Sequence, residues 1–185
     1  MKRDRLIVII SAVVFFSLLA ALLVYMAKTP VKQSPGSVNE QKTGEGTMTV
    51  KVFLPDESRL ILEVRVLERV FSQKKVLKSA ITEFLKGSPA LKRNIIPVNS
   101  ILLGVYVGND GITYIDLSED FKRNFHGDAL DEFLLLRGLY ETAASNANID
   151  DMKILIDHKE TDTIGGHFAA DRPLKLLVKQ ELSFE

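Results

Sequence analysis

"MTVKVFLPDESRLILEVRV", residues 48–66, carries two runs in which apolar side chains fall at every second position: Met48, Val50, Val52 and Leu54, then Leu60, Leu62, Val64 and Val66. A period of two belongs to a strand with one buried face. Between the runs, Pro55-Asp56-Glu57-Ser58 is rich in turn formers, so the stretch predicts two neighbouring strands with both stripes facing the core. Phe53 and Ile61 then fall on the opposite phase, and so does Tyr114 further along the chain. Together these three are a candidate contact patch.

Downstream the period lengthens. Leu77, Ala80, Ile81, Phe84 and Leu85 recur at helical spacing, with Lys74, Lys75 and Lys78 off the stripe, and the pattern stops at Lys86-Gly87-Ser88-Pro89. This predicts an amphipathic helix of about three turns. Next come "ILLGVYV" (101–107), a Gly108-Asn109-Asp110-Gly111 turn and "ITYIDLS" (112–118), which together signal a hairpin. Asp128 offers an N-cap, with Asp131 and Glu132 in the first turn, to a second helix bearing Leu130, Phe133, Leu134, Leu136, Leu139 and Tyr140. "MKILID" (152–157) alternates again and predicts a fifth strand. The order β-β-α-β-β-α-β predicts an α+β fold: a mainly antiparallel sheet of about five strands with two helices packed on one face. The pattern β-β-α occurs twice, as an old internal duplication would leave it, although residue identity does not support one.

Upstream, Leu6 to Ala27 contains no charged side chain. At ~1.5 Å per residue such a run spans ~33 Å, close to the hydrocarbon thickness of a bilayer. Lys2, Arg3 and Arg5 outnumber Asp4 ahead of it, which holds a short N-terminus in the cytoplasm and sends the remainder across. The predicted organisation is a cytoplasmic stub (1–5), a transmembrane signal-anchor helix (6–27), a flexible linker (28–47) rich in Pro, Gly, Ser and charge, and an extracytoplasmic domain (48–185). A cleaved signal peptide is the rival, but its apolar core is shorter, and Tyr25 stands where a cut after Ala27 wants a small residue. The expected location is a bacterial cytoplasmic (inner) membrane, crossed once, with the domain periplasmic or extracellular.

The chain has no cysteine, which excludes disulfides, thiolate metal sites, cysteine nucleophiles and lipid attachment through a cysteine. Its 24 basic and 24 acidic side chains balance, and no basic cluster exceeds two residues. Nucleic acid is therefore not an expected partner, because that surface needs concentrated positive charge. Six of the basic and three of the acidic residues precede residue 47, leaving 18 and 21 in the domain. This mild acidity disfavours electrostatic adhesion to anionic lipid.

Three clusters invite chemistry. His158, Glu160, Asp162 and His167 combine imidazole and carboxylate as zinc ligands do, but no pair has the i, i+4 spacing that puts two histidines on one helical face. Asp116, Glu119 and Asp120 follow a strand, where hydrolytic carboxylates can sit, although Ser118, Glu119 and Asp120 read equally as residues capping backbone amides. "TIGGHFAADRPL" (163–174) joins Gly165 and Gly166, which suit a tight turn, to His167. Gly165, Gly166 and His167 are the candidate interaction or structural loop. No nucleophile, base and orienting group recur at a recognisable spacing, so no catalytic residue, metal or cofactor is expected.

The anchor and linker, "VKVFLPD", "VLKSAITEFLKGSP", "IIPVNSILLGVYVGNDGITYIDLSEDF" and the terminal "TIGGHFAADRPL" together resemble the GerMN domain of sporulation and spore germination proteins. The resemblance runs from Met48 to Pro173. It implies a noncatalytic α+β module held at the bacterial envelope, acting in protein binding or scaffolding, with sporulation, germination or cell-wall remodelling as its setting. Envelope proteins are the implied partners, and peptidoglycan the further one. The alternative is an accessory of a cell-wall hydrolase that binds peptidoglycan or another ligand directly.

Overall fold

A computed structural model describes residues 46–180 of the chain. The stub, the signal-anchor segment 6–27 and nearly all of the linker lie outside the described residues. Among the described residues no helix is long and apolar enough to cross a membrane.

The opening hairpin forms as its alternation predicts. Strand β1 (Thr47–Asp56) pairs antiparallel with β2 (Arg59–Glu68), Val52 opposite Glu63 and Phe53 opposite Leu62. Val50, Val52 and Leu54 are fully buried. The phase of β2 is the reverse of the predicted one. Leu62, Val64 and Val66 are 50%, 45% and 49% exposed, while Ile61, Glu63, Arg65 and Leu67 turn inward. The cause is the helix beneath, α1 (Gln73–Leu85). Its last carbonyls need donors, and the Arg65 guanidinium reaches the carbonyl oxygens of Glu83 and Gly87, both at 2.6 Å. Glu63 accepts from the same guanidinium at 2.8 Å. An ion-paired arginine over a helix C-terminus is thus the inward feature that apolar periodicity could not register.

The predicted single sheet is two. β1 and β2 stand as one, and β3 (Leu102–Val107), β4 (Ile112–Leu117), β5 (Asp151–Ile156) and the short β6 (Lys159–Glu160) form the other in that order. β3 and β4 are the expected antiparallel hairpin, but β4 and β5 run parallel, Ile115 beside Ile154. A helix between two strands carries the chain back to its starting end, which makes the next strand parallel. Two short helices complete the chain order, α2 (Asp120–Arg123) after β4 and α4 (Lys175–Val178) near the end.

The crossover helix α3 (Ala129–Asn146) is buried on nearly every side, from Asp131 through Leu136, at Gly138 to Tyr140 and at Thr142 and Ala143. A helix buried on so many sides lies inside the fold, its first-turn acids included. One flank seals the outer edge of β1. The Lys51 and Phe53 amides donate to Asn146 Oδ1 and Thr142 Oγ1, both at 2.9 Å, and Asn146 Nδ2 returns a bond to the Lys51 carbonyl at 2.6 Å. Gly138 permits the approach, since a Cβ there would lie 2.6 Å from the Phe53 carbonyl oxygen. Gly138, Thr142 and Asn146, spaced by four, therefore replace a neighbouring strand.

Candidate functional site

The first turn of α3 organises the loop that follows β6. Asp128 and Asp131 form a reciprocal capping box, and Asp131 also receives both Arg93 nitrogens, at 3.0 and 2.6 Å. Glu132 points to a different flank, with its side chain fully buried. Its Oε1 accepts the amides of Ile164 (3.0 Å) and Gly165 (2.7 Å), and Oε2 accepts that of His167 (2.8 Å). The His167 Nδ1 stands 3.0 Å from Oε2. An isolated buried carboxylate is prohibitive in cost, but four donors and a helix N-terminus stabilise this one.

Both glycines have a geometric reason. A Cβ on Gly165 would fall 2.5 Å from the Phe125 ring and 3.0 Å from Glu132 Oε2, so the amide could not reach the carboxylate. Gly166 has φ +98° with open space around it, a conformation that side chains disfavour for backbone reasons alone. The His167 side chain is 41% exposed. Beyond it, Phe168 stacks obliquely on Phe133 with centroids 5.8 Å apart, and the Ala170 amide closes onto the Asp162 carbonyl at 2.7 Å. The Leu174 and Lys175 amides then dock on β5, at the Met152 carbonyl and Asp151 Oδ1.

A second buried carboxylate supports a second turn. Asp116 on β4 accepts the His158 amide at 3.0 Å and lies 2.5 Å from His158 Nδ1. Asp157 and His158 link β5 to β6 with φ of +48° and +67°. Such a two-residue turn favours Asn or Gly, and the Asp116 bonds hold the imidazole and amide in the less favoured geometry.

The clusters singled out in the sequence do not converge. His158 engages Asp116, Glu160 pairs with Lys153 at 2.6 Å and His167 engages Glu132. Among the described residues no three His, Cys, Asp or Glu side chains meet to hold a metal. Asp116 is inside, whereas Asp120 pairs with Arg123 at the surface. Glu119 makes no cap, and the Ser118 hydroxyl accepts the Ile101 amide at 3.1 Å instead. Phe53, Ile61 and Tyr114 do not share a face: Ile61 turns inward, Phe53 lies outward beside Leu62, and Tyr114 sits on the other sheet, its hydroxyl donating to Asp110 at 2.9 Å. The exposed apolar stripe is Leu62, Val64 and Val66, which the sequence assigned to the core. Glu132 was visible only as a first-turn acid, and its signal was one charge in the otherwise apolar run "EFLLL".

Two small sheets around a buried helix, with a closing loop tied to that helix by a carboxylate, define a small α+β module. The chain belongs to the Germane family, described as sporulation and spore germination, whose model matches residues 51–162. The loop of Gly165, Gly166 and His167 lies just past that span. Among solved structures the chain is similar to a candidate lipoprotein from Clostridium perfringens, at 23% identity and TM-score 0.50, covering 69% of this chain and 87% of that one. It is also similar to the tandem GerMN domains of the sporulation protein GerM from Bacillus subtilis, at 21% identity and TM-score 0.50. There the match covers 70% of this chain but only 47% of that one. No curated protein matches the chain.

Proposed function

We propose that this is a noncatalytic, membrane-anchored envelope protein whose domain binds other proteins of an assembly engaged in sporulation, germination or cell-wall remodelling. The observation that carries this is β2. A folded module leaves Leu62, Val64 and Val66 about half exposed in a row, and contiguous apolar surface of this kind marks contact sites. The noncatalytic character is supported by the acids themselves: Asp116, Asp131 and Glu132 are each engaged by backbone amides, an imidazole or a guanidinium. Anchoring is supported by the uncharged run 6–27.

Cross-linking of the full chain in native membranes, run beside a pull-down on isolated cell wall, tests the reading. Adducts with envelope proteins are expected, with no retention on protein-free wall. Retention on bare wall without a protein partner contradicts it and favours the wall-binding accessory. Hydrolysis of peptidoglycan by the purified chain, lost on Asp116→Ala, contradicts the noncatalytic assignment.

A further inference from the structure

The first sheet has two edges, and they are treated differently. On β1 the main-chain groups of Lys51 and Phe53 turn away from β2 and bond to Asn146 and Thr142. Because successive residues of a strand alternate in direction, Val50, Val52 and Leu54 must then exchange bonds with Arg65, Glu63 and Ile61, their partners in register. It follows that Leu60, Leu62, Val64, Val66 and Glu68 aim their N–H and C=O groups at the far edge. Among the described residues no strand pairs with that edge, and no side chain bonds to those main-chain groups. The residues that present this open ladder also carry the exposed apolar stripe.

An uncovered strand edge with apolar side chains is a template for another strand. The occupant is selected by charge. If β2 meets an antiparallel β2 from a second copy, the outward groups require even-numbered residues to face even-numbered residues. Centring the two-fold axis on Val64 sets Val64 against itself and Leu62 against Val66, both on the exposed face. On the inner face the same register sets Glu63 against Arg65 twice, and Ile61 against Leu67. Sliding by one step either way brings Glu63 onto Glu63 or Arg65 onto Arg65. Like charges directly opposite are destabilising across a ladder. In the Val64 register the like-charge meeting, Arg59 with Arg69 at each end of the ladder, joins the first residue of β2 to one just past its last, where Arg69 stacks over the Phe71 ring at 5.8 Å.

We propose that β2 is a self-pairing edge: two copies join through antiparallel β2 strands centred on Val64 and merge their hairpins into one four-stranded sheet. The proposal deepens the assembly reading above and rests on it, naming a second copy of the chain as a partner. The interface is isologous, as a two-fold dimer requires. It is also narrow, so tethering in one membrane would favour it by raising the local concentration.

The absence of native cysteine makes the test clean. Full-length chains carrying Val64→Cys are reconstituted in lipid vesicles and oxidised mildly, beside chains carrying Leu176→Cys, a position 78% exposed elsewhere on the surface. Val64→Cys is expected to cross-link at least about tenfold faster, because only on the axis does a residue meet its own copy with the Cα atoms within the ~4.4–6.8 Å that a disulfide spans. Leu62→Cys and Val66→Cys chains should cross-link when mixed and not when separate. Val64→Lys, at a site already half exposed, should abolish association while the unfolding midpoint stays unchanged. Equal rates at positions 64 and 176, or self-linking of Leu62→Cys as fast as Val64→Cys, overturns the proposal. If those results come with adducts between the chain and other envelope proteins, self-pairing fails and the assembly role stands.

Discussion

Glu132 joins the start of α3 to the closing loop, and its environment sets what substitution does. Glu132→Gln keeps the shape but turns one acceptor into a donor facing amides that also donate. Hydrogen bonds to a charged group are worth ~1.5–3 kcal/mol each, and they are not additive. We expect a loss of about 2–3 kcal/mol in urea unfolding, the upper part of the usual range for a single substitution. His167→Ala should lose less than about 1 kcal/mol, since the ring is partly exposed and the amide bonds survive. Gly166→Val should lose about 1–3 kcal/mol through its positive φ alone, and Gly166→Asn clearly less. If His167→Ala proves the most damaging of the four, the loop is held by its imidazole and not by its amides.

At the scale of elements, the contact of α3 with β1 weighs two effects against each other. Alanine is a better helix former than glycine by about 1 kcal/mol. Here, however, the new methyl would lie 2.6 Å from a backbone oxygen and 3.1 Å from the Phe84 ring. Gly138→Ala should therefore destabilise by about 1–3 kcal/mol, and exchange of the Lys51 and Phe53 amides should quicken because Asn146 and Thr142 are pushed back. A neutral or stabilising result contradicts the close packing. The existence of both long helices and of the paired strands was legible, because amphipathic periods and the Asp128 cap are local signals. The phase of β2 was not. "RLILEVRV" offers apolar residues on both phases, and the deciding interaction, Arg65 with the end of α1, joins residues about twenty apart in sequence. The split into two sheets was hidden likewise, because nothing local records that Thr142 and Asn146 stand in for a strand.

For the molecule as a whole, the inner face of β2 contributes to acid stability. Burial pushes the Glu63 carboxyl up, but hydrogen bonds from Ser88 and Arg65, with the Arg65 charge, outweigh it and hold the group below the ordinary glutamate range. A lowered folded-state pKa stabilises the fold above the unfolded value of ~4.3, and that contribution disappears as the pH falls through the folded value. Glu63→Gln should therefore unfold at lower urea than the parent at pH 6, with the gap narrowing as the pH falls below about 4. A gap that does not narrow on acidification would place the effect in packing and not in charge. The family was legible in the order of short motifs, whereas the surface the module offers depended on the strand phase that those motifs left hidden.

The central claim is that the module acts by binding protein through the exposed stripe of β2. Its most direct test is a photo-cross-linking residue placed at Val64 of the full chain in living cells, with the same residue at Leu176 as the reference. Discrete adducts with protein, itself or an envelope partner, at position 64 and not at 176 are the predicted result. Position 64 giving no adduct beyond that of 176 would contradict the account.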